Sequence, residues 1–327
     1  MANNYLSDRG PSFRKETIKL KPIPAYTFSK TLADEFKAKE ITKSEVSDLY
    51  ESMLVIREFE DMINKCRTGA YEVISDYNYR GPTHLSIGQE ATASGVCSML
   101  NITDLITSTH RGHGDSIAKG FHAIKQMTEQ ELRERCPEFS SLSGEELREA
   151  VMEDHIFRTI AELFGKEDGY GKGRGGGMHI ADFRVGHLGA NAIVGGGIPL
   201  ATGSALASKI SHDGAVSVAF FGDGASNQGC FHECINMAAV WKLPLVYFIE
   251  NNQFAVSTDI HTTCATPTLA QRAQGYGIEG IIVDGTDVLA VYEAMQRAVE
   301  HARSGKGPVL LECDVYRYTG HYVGDPA

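Results

Sequence analysis

The sequence predicts an α/β protein: a doubly wound, mostly parallel sheet flanked by helices. Two observations carry that expectation. Short apolar segments of strand length (215–221, 245–249, 280–283 and 309–313) alternate with longer segments of helical period, the pattern of a parallel sheet covered on both faces. Turn-forming or acidic residues follow the first three strands directly, at Gly222, Glu250 and Asp284-Gly285, and in such sheets ligands gather at the carboxyl ends of the strands.

Each element can be justified in order. Residues 1–43 read as an N-terminal arm, polar and punctuated by Pro11, Pro22 and Pro24; residues 44–327 read as the α/β domain. From 44 to 67, Val46, Leu49, Tyr50, Met53, Leu54, Ile56 and Phe59 keep helical spacing, with Ser44 as the start and Gly69 as the stop. A second helix is expected over 88–100. Residues 126–152 are dense in Glu and Arg and read as a solvated helical insertion. A glycine-rich loop occupies 165–177. Gly195-Gly196-Gly197 and Pro199 then open a small-residue helix over 200–210, and further helices are expected over 231–241 and 288–302.

Composition narrows the function. The 327 residues suffice for one large domain or two ordinary ones, with the 42% hydrophobic and 22% charged content of a globular chain. A formal charge of −11 disfavours nucleic acid or an anionic membrane as partner, but not a small anionic cofactor held by a few local cations. Seven dispersed cysteines form no CxxC pair and read as reduced thiols. With no secretory signal and no membrane-length apolar run, a cytoplasmic location is expected.

The chemistry concentrates after two strands. Asp223 sits between Gly222 and Gly224 at the end of a buried strand, a turn in which a ligand can approach the backbone closely. Residues 225–228 should begin a helix whose free N–H groups favour an anion. Asn252 follows 29 positions later, just past the next strand. If those strands are neighbours, a carboxylate, an amide oxygen and a backbone carbonyl, that of Phe254, converge at one sheet edge. Such a sparse set of hard oxygens suits Mg²⁺ whose remaining positions are filled by a diphosphate and water. A dinucleotide reading of Gly171–Gly176, which matches GxGxxG, fails because no buried strand precedes it.

The string GDGASNQGCFHECINMAAVWKLPLVYFIENNQFAVST, with 26 residues between Gly224 and Asn251, resembles the α subunit of the decarboxylating first component of 2-oxo acid dehydrogenase complexes, of pyruvate or acetoin dehydrogenase type. The similarity runs from about Ser44 to the last residue. It implies thiamine diphosphate and Mg²⁺ as cofactors. Asp223 and Asn252 would bind the metal by side chains and Phe254 by its carbonyl, with Gly224 and Ala225 presenting backbone to the diphosphate. Arg111 and Arg317 would hold the diphosphate, Arg being suited by its fixed charge and forked donors. His84, His110 and His321 would act at the reacting end. Ala192, Ile193 and Val194 match a stretch that contacts the aminopyrimidine ring, where the family usually carries Gly in place of Ala192.

The implied reaction is decarboxylation of pyruvate or a related 2-oxo acid and transfer of the acyl group to a lipoyl carrier on an acyltransferase component; the alternative is cleavage of acetoin. No glutamate able to protonate the aminopyrimidine is evident. The resemblance therefore implies a β subunit, separate or fused, in an α₂β₂ assembly. Family members usually continue past Asp325-Pro326-Ala327, so a missing C-terminal part is also expected. A transketolase-like enzyme and a non-catalytic homologue are the rival readings.

Overall fold

The computed structural model describes residue 17 and residues 19–70 and 81–325. Helices α1 (Leu32–Ala38), α2 (Lys43–Thr68) and α3 (Glu90–Ser98) precede strand β1 (Leu105–Thr109). Helices α4 (His113–Gln126), α5 (Glu129–Arg135) and α6 (Gly144–Leu163) lead to β2 (His187–Asn191), and α7 (Gly197–Ser211) to β3 (Ser217–Gly222). After α8 (Gly229–Trp241) come β4 (Leu245–Asn251), the short pair β5 (Phe254–Ala255) and β6 (Thr258–Asp259), and α9 (Arg272–Tyr276). The described chain ends with β7 (Glu279–Asp284), α10 (Val288–Arg303) and β8 (Val309–Asp314).

The expected parallel sheet is present. Six strands run in the order β2-β1-β3-β4-β8-β7, every neighbouring pair parallel. Alternation along β4 divides the core. Val246 and Phe248 join the cluster made with α2, α3, α4 and α10; Leu245, Tyr247 and Ile249 join the one made with α7, α8 and α9. Full burial of such a side chain contributes roughly 1.5–3 kcal/mol, so a one-residue slip of β4 would exchange two filled layers.

Some boundaries move for local reasons. Helix α2 is capped by Thr42, not Ser44: the Thr42 hydroxyl accepts the Glu45 N–H, the Glu45 carboxylate accepts the Thr42 N–H, and Gly69 ends the helix in a left-handed conformation. The expected helix at 225–228 is instead a short 3₁₀ turn, Gly224–Asn227, with α8 beginning at Gly229. The charge-dense stretch is helical, but one face is apolar: Leu132, Cys136, Leu147 and Val151 close a small core with Ala123, Ile124, Met127 and Val185. The described part of the arm lies on its own domain, where Tyr26 N–H donates to the Ile282 carbonyl at 3.0 Å and the Pro24 carbonyl accepts from Ile282 at 2.9 Å.

All seven cysteines are free, and Cys97, Cys136, Cys234 and Cys313 are buried. Among the described residues no helix is long and apolar enough to cross a membrane.

Candidate active site

The sheet order creates the site. The chain leaves β1 for the edge strand β2, then returns to add β3 on the other side of β1. The helices on either side of that reversal diverge and leave a crevice at the carboxyl ends. A cavity of about 260 Å³ opens there. Its walls come from the ends of β1, β2, β3 and β4 and from the segment after β8.

The two loop tips singled out in the sequence meet. Gly222 pairs in register with Glu250 across β3 and β4, so the Asp223 and Asn252 turns emerge side by side. A Cβ on Gly224 would lie 2.5 Å from the Ala255 Cβ, so only glycine lets the first turn approach the second. The Asn252 backbone N–H exerts a small downward pull on the Asp223 pKa. Asn251, buried beside it, locks the second turn: its amide donates to Glu312 at 2.8 Å and to Asp314 at 3.1 Å, and its carbonyl oxygen accepts the Gln253 N–H at 3.1 Å. The Asn252 side-chain oxygen accepts the Phe254 N–H at 3.2 Å. Val256, a β-branched residue with φ of 58°, is a strained position on the cavity wall.

Burial pushes the Asp223 carboxyl up to about 6, against the smaller pull of its backbone contacts and of Arg317. Asp223 is 3% exposed and has no ion-pair partner within 4.0 Å among the described residues. A buried carboxylate in that position is a poor arrangement for stability and a good one for a cation. The residues therefore fit a divalent metal bound through oxygen.

Two guanidiniums stand close by. Arg111, 6% exposed, follows β1 and is braced by the Leu85 carbonyl at 2.6 Å and the His321 carbonyl at 2.8 Å. Burial and the charge of Arg317 lower its pKa to about 10, which leaves it a cation at neutral pH. Arg317 donates to the Thr319 carbonyl at 3.2 Å and the Val256 carbonyl at 3.3 Å. Neither has a carboxylate partner within 4.0 Å among the described residues, so both face the cavity as unspent charge for an anion.

The three expected histidines are brought together although they lie far apart in the chain. The segment after β8 lies along residues 83–88: Tyr318 N–H donates to the Ile87 carbonyl at 3.3 Å, and Val323 N–H to the Thr83 carbonyl at 2.9 Å. Ring centroids are 4.6 Å apart for His84 and His110, 4.9 Å for His84 and His321, and 5.4 Å for His110 and His321. Burial, reinforced by the neighbouring arginines, lowers their pKa values to about 3, 4 and 4 for His84, His110 and His321. All three are neutral at pH 7. Arg111 and Arg317 approach His321 Nδ1 at 3.2 and 3.4 Å; a guanidinium only donates, so that nitrogen accepts and Nε2 carries the proton.

The β2-to-α7 turn supplies the remaining wall. Ala192, Ile193 and Val194 line the cavity, and the last two are 73% and 47% exposed, apolar groups standing free in a cleft. A Cβ on Gly196 would come within 2.8 Å of the Asn191 amide, which explains the glycine run at this tight turn. Ala225 also lines the cavity.

Sequence reasoning missed Glu250 and Gln89, which line the same cavity. Glu250 is buried and accepts the Thr92 hydroxyl at 3.1 Å. Burial, with Asp115 nearby, raises its pKa well above the ordinary carboxylate range. Gln89 Oε1 is buried without a hydrogen-bond partner. Their signal was available, since Glu250 directly precedes the Asn251-Asn252 pair, but in the sequence it marks only the end of the apolar run 245–249.

Fold and cleft together define an α/β protein whose cavity, at the switch point of a parallel sheet, is lined by residues suited to an anionic ligand and a divalent cation. The family model described as the dehydrogenase E1 component matches residues 62–327, and the chain belongs to that family. It is 45% identical over 285 residues to the α subunit of acetoin:2,6-dichlorophenolindophenol oxidoreductase of Bacillus subtilis, covering 87% of this chain and 74% of that protein. It is 40% identical over 288 residues to the protein of the same name from Cupriavidus necator, covering 88% and 74%. Against the pyruvate dehydrogenase E1 component subunit α of Porphyra purpurea it is 38% identical over 293 residues, covering 88% and 74%. Membership implies thiamine diphosphate as the cofactor and a β subunit as partner.

Proposed function

We propose that this chain is the cofactor-holding α subunit of an oxidoreductase that acts on pyruvate or a related 2-oxo acid, with acetoin as the second substrate reading. The observation that carries it is the contact between the Asp223 and Asn252 turns opposite two carboxylate-free guanidiniums. Acetoin is kept because the two relatives of highest identity quoted above carry it in their names.

In this reading Asp223, Asn252 and the Phe254 carbonyl hold Mg²⁺, which Asp223 needs to offset its own desolvation. Arg111 and Arg317 take the diphosphate, with Gly224 and Ala225 backbone beside it. Ala192 and Val194, with Ile193 between them, present an apolar wall to the ring system. When bound, thiamine diphosphate supplies a carbanion-stabilising thiazolium, an electron sink that no side chain provides. His84, His110 and His321, neutral at pH 7, can accept or relay a proton at the substrate end. The acceptor of the two-carbon unit is a lipoyl group on an acyltransferase component, and the assembly is an α₂β₂ heterotetramer in which the β subunit completes the site. Seven free thiols are in keeping with a reducing cytoplasm.

Calorimetric titration of thiamine diphosphate with Mg²⁺ tests the reading. Asp223→Ala should abolish the binding heat, a loss of at least about 3 kcal/mol for removing one partner of a buried charge pair, while circular dichroism stays unchanged. Wild-type affinity in the variant would refute the assignment. Assays of pyruvate, 2-oxobutyrate and acetoin with a dye acceptor, on the chain combined with its β partner, decide the substrate.

A further inference from the structure

The cavity contains two donor sets of different chemistry. Asp223, Asn252 and Phe254 offer hard oxygen. His84, His110 and His321 offer three imidazole nitrogens, each residue with one ligand atom within 4.8 Å of the others'. Hard oxygen suits Mg²⁺, whereas imidazole suits Zn²⁺, Co²⁺, Ni²⁺ and Cu²⁺. We propose that the His84–His110–His321 trio is a reversible site for a zinc-class transition ion, distinct from the oxygen set.

Three features support it. His84 is 8% exposed, and its Nδ1 is buried with no hydrogen-bond partner, a lone pair or proton left unused in a crowded pocket. All three rings are neutral at pH 7, so no proton need be removed from a cationic imidazole. Three nitrogens with an open fourth position make the ligand count of a zinc site that keeps one place for water or substrate. Tetrahedral zinc bonds of about 2.0–2.1 Å separate the nitrogens by about 3.3 Å, so the trio must close by at most about 1.5 Å. Side-chain rotation at His110 and His321, both only partly buried, can supply that movement.

The opposing charges are also present. Arg111 and Arg317 donate to His321 Nδ1, and an ion at His321 must disturb those contacts. Asp325, which accepts the His321 backbone N–H at 2.8 Å, supplies negative charge. The balance makes this a reversible site, weaker than a closed structural zinc centre. Binding is lone-pair donation alone, and no covalent bond or redox state changes. Because the trio lines the same cavity as the proposed cofactor residues, an ion there obstructs substrate; that consequence rests on the functional reading above, whereas metal binding does not.

The test uses the chain in complex with its β partner, saturated with Mg²⁺, with Zn²⁺ and Co²⁺ as probes. Zinc retained after equilibrium dialysis is counted by elemental analysis. Wild type should retain one more zinc per α chain than His84→Ala or His110→Ala. Cys136→Ser, which removes a ligand from the separate Cys136–Glu138–Asp154 cluster, should retain as much as wild type. Bound Co²⁺ should give visible ligand-field bands without a thiolate charge-transfer band. His110→Gln serves as a second variant if an alanine variant melts early. Equal zinc in wild type and the histidine variants, or none in wild type, overturns the proposal. Zinc counting needs no turnover, so its failure leaves the functional reading standing, and absence of turnover leaves the zinc count standing.

Discussion

Two glycine-lined loops in this molecule look alike in sequence and are opposite in state. The loop over residues 165–177 wraps the side chain of Glu162, at the end of α6. The buried Glu162 carboxylate accepts N–H groups from Gly171, Gly173, Gly175 and Gly176 at 2.6, 3.0, 2.7 and 3.1 Å. The turn at Gly222-Asp223-Gly224 instead faces a cavity with Arg111 and Arg317. The first loop is an anion cradle already filled by Glu162, whose carboxylate a phosphate would have to displace. The second faces two guanidiniums that have no carboxylate within 4.0 Å among the described residues. A glycine motif therefore reports that backbone comes close to something; whether that is a ligand or the protein's own carboxylate depends on which charges are left over.

The largest way to break this comparison is at Glu162. Glu162→Ala removes one buried acceptor and orphans four N–H donors in part-buried bonds, at about 1–3 kcal/mol for each group that water cannot reach. We expect a loss of about 3–5 kcal/mol in urea unfolding, with thiamine diphosphate affinity in the surviving folded fraction nearly unchanged. A variant that keeps its stability but loses affinity would reverse the roles assigned to the two loops.

Asp223 should show the opposite behaviour in the metal-free chain. Its folded pKa of about 6 lies above the ordinary unfolded value of about 3.9. The folded state thus binds the extra proton between those values, and stability falls as pH rises from about 4 to about 6. Asp223→Asn removes that dependence. The variant should gain on wild type by about 2 kcal/mol between pH 4 and pH 7, a figure reduced for partial solvent screening. Thermal melts across that range, with a chelator present, provide the check; a constant difference would mean that Asp223 is already compensated.

The smallest effect concerns the second guanidinium. Arg317→Lys keeps the charge but loses the forked donors, and the diphosphate affinity should weaken by about 1–2 kcal/mol, roughly tenfold. Titration with inorganic pyrophosphate isolates this contribution from any ring contact.

Legibility followed locality. Strands β3 and β4 and their turns could be read because the apolar run, the glycines and the following Asp or Asn are contiguous. Strand β2 was missed: His187–Asn191 carries a glycine at its centre and no apolar run, and its partner β1 alone makes it a strand. Helix α4 was missed because it has no wet face. Residues 113–124 are all buried, the polar ones included. They are tolerated only because distant groups receive them: His113 meets Glu60 at 2.9 Å, Asp115 accepts the Ser108 hydroxyl at 2.5 Å, and Lys119 donates to the Asn101 carbonyl at 2.9 Å.

The sequence by itself determined the parallel α/β class, the alternation that fills both sheet faces, and the Asp223 and Asn252 turns, because periodicity and turn chemistry act over a few residues. Tertiary structure decided that those turns touch, that His84 and His321 share one wall, that burial raises the Glu250 pKa, and that one glycine loop wraps a carboxylate while the other lines a cavity. These depend on strand order and on loss of water, which are properties of residues far apart in the chain and have no local pattern to betray them.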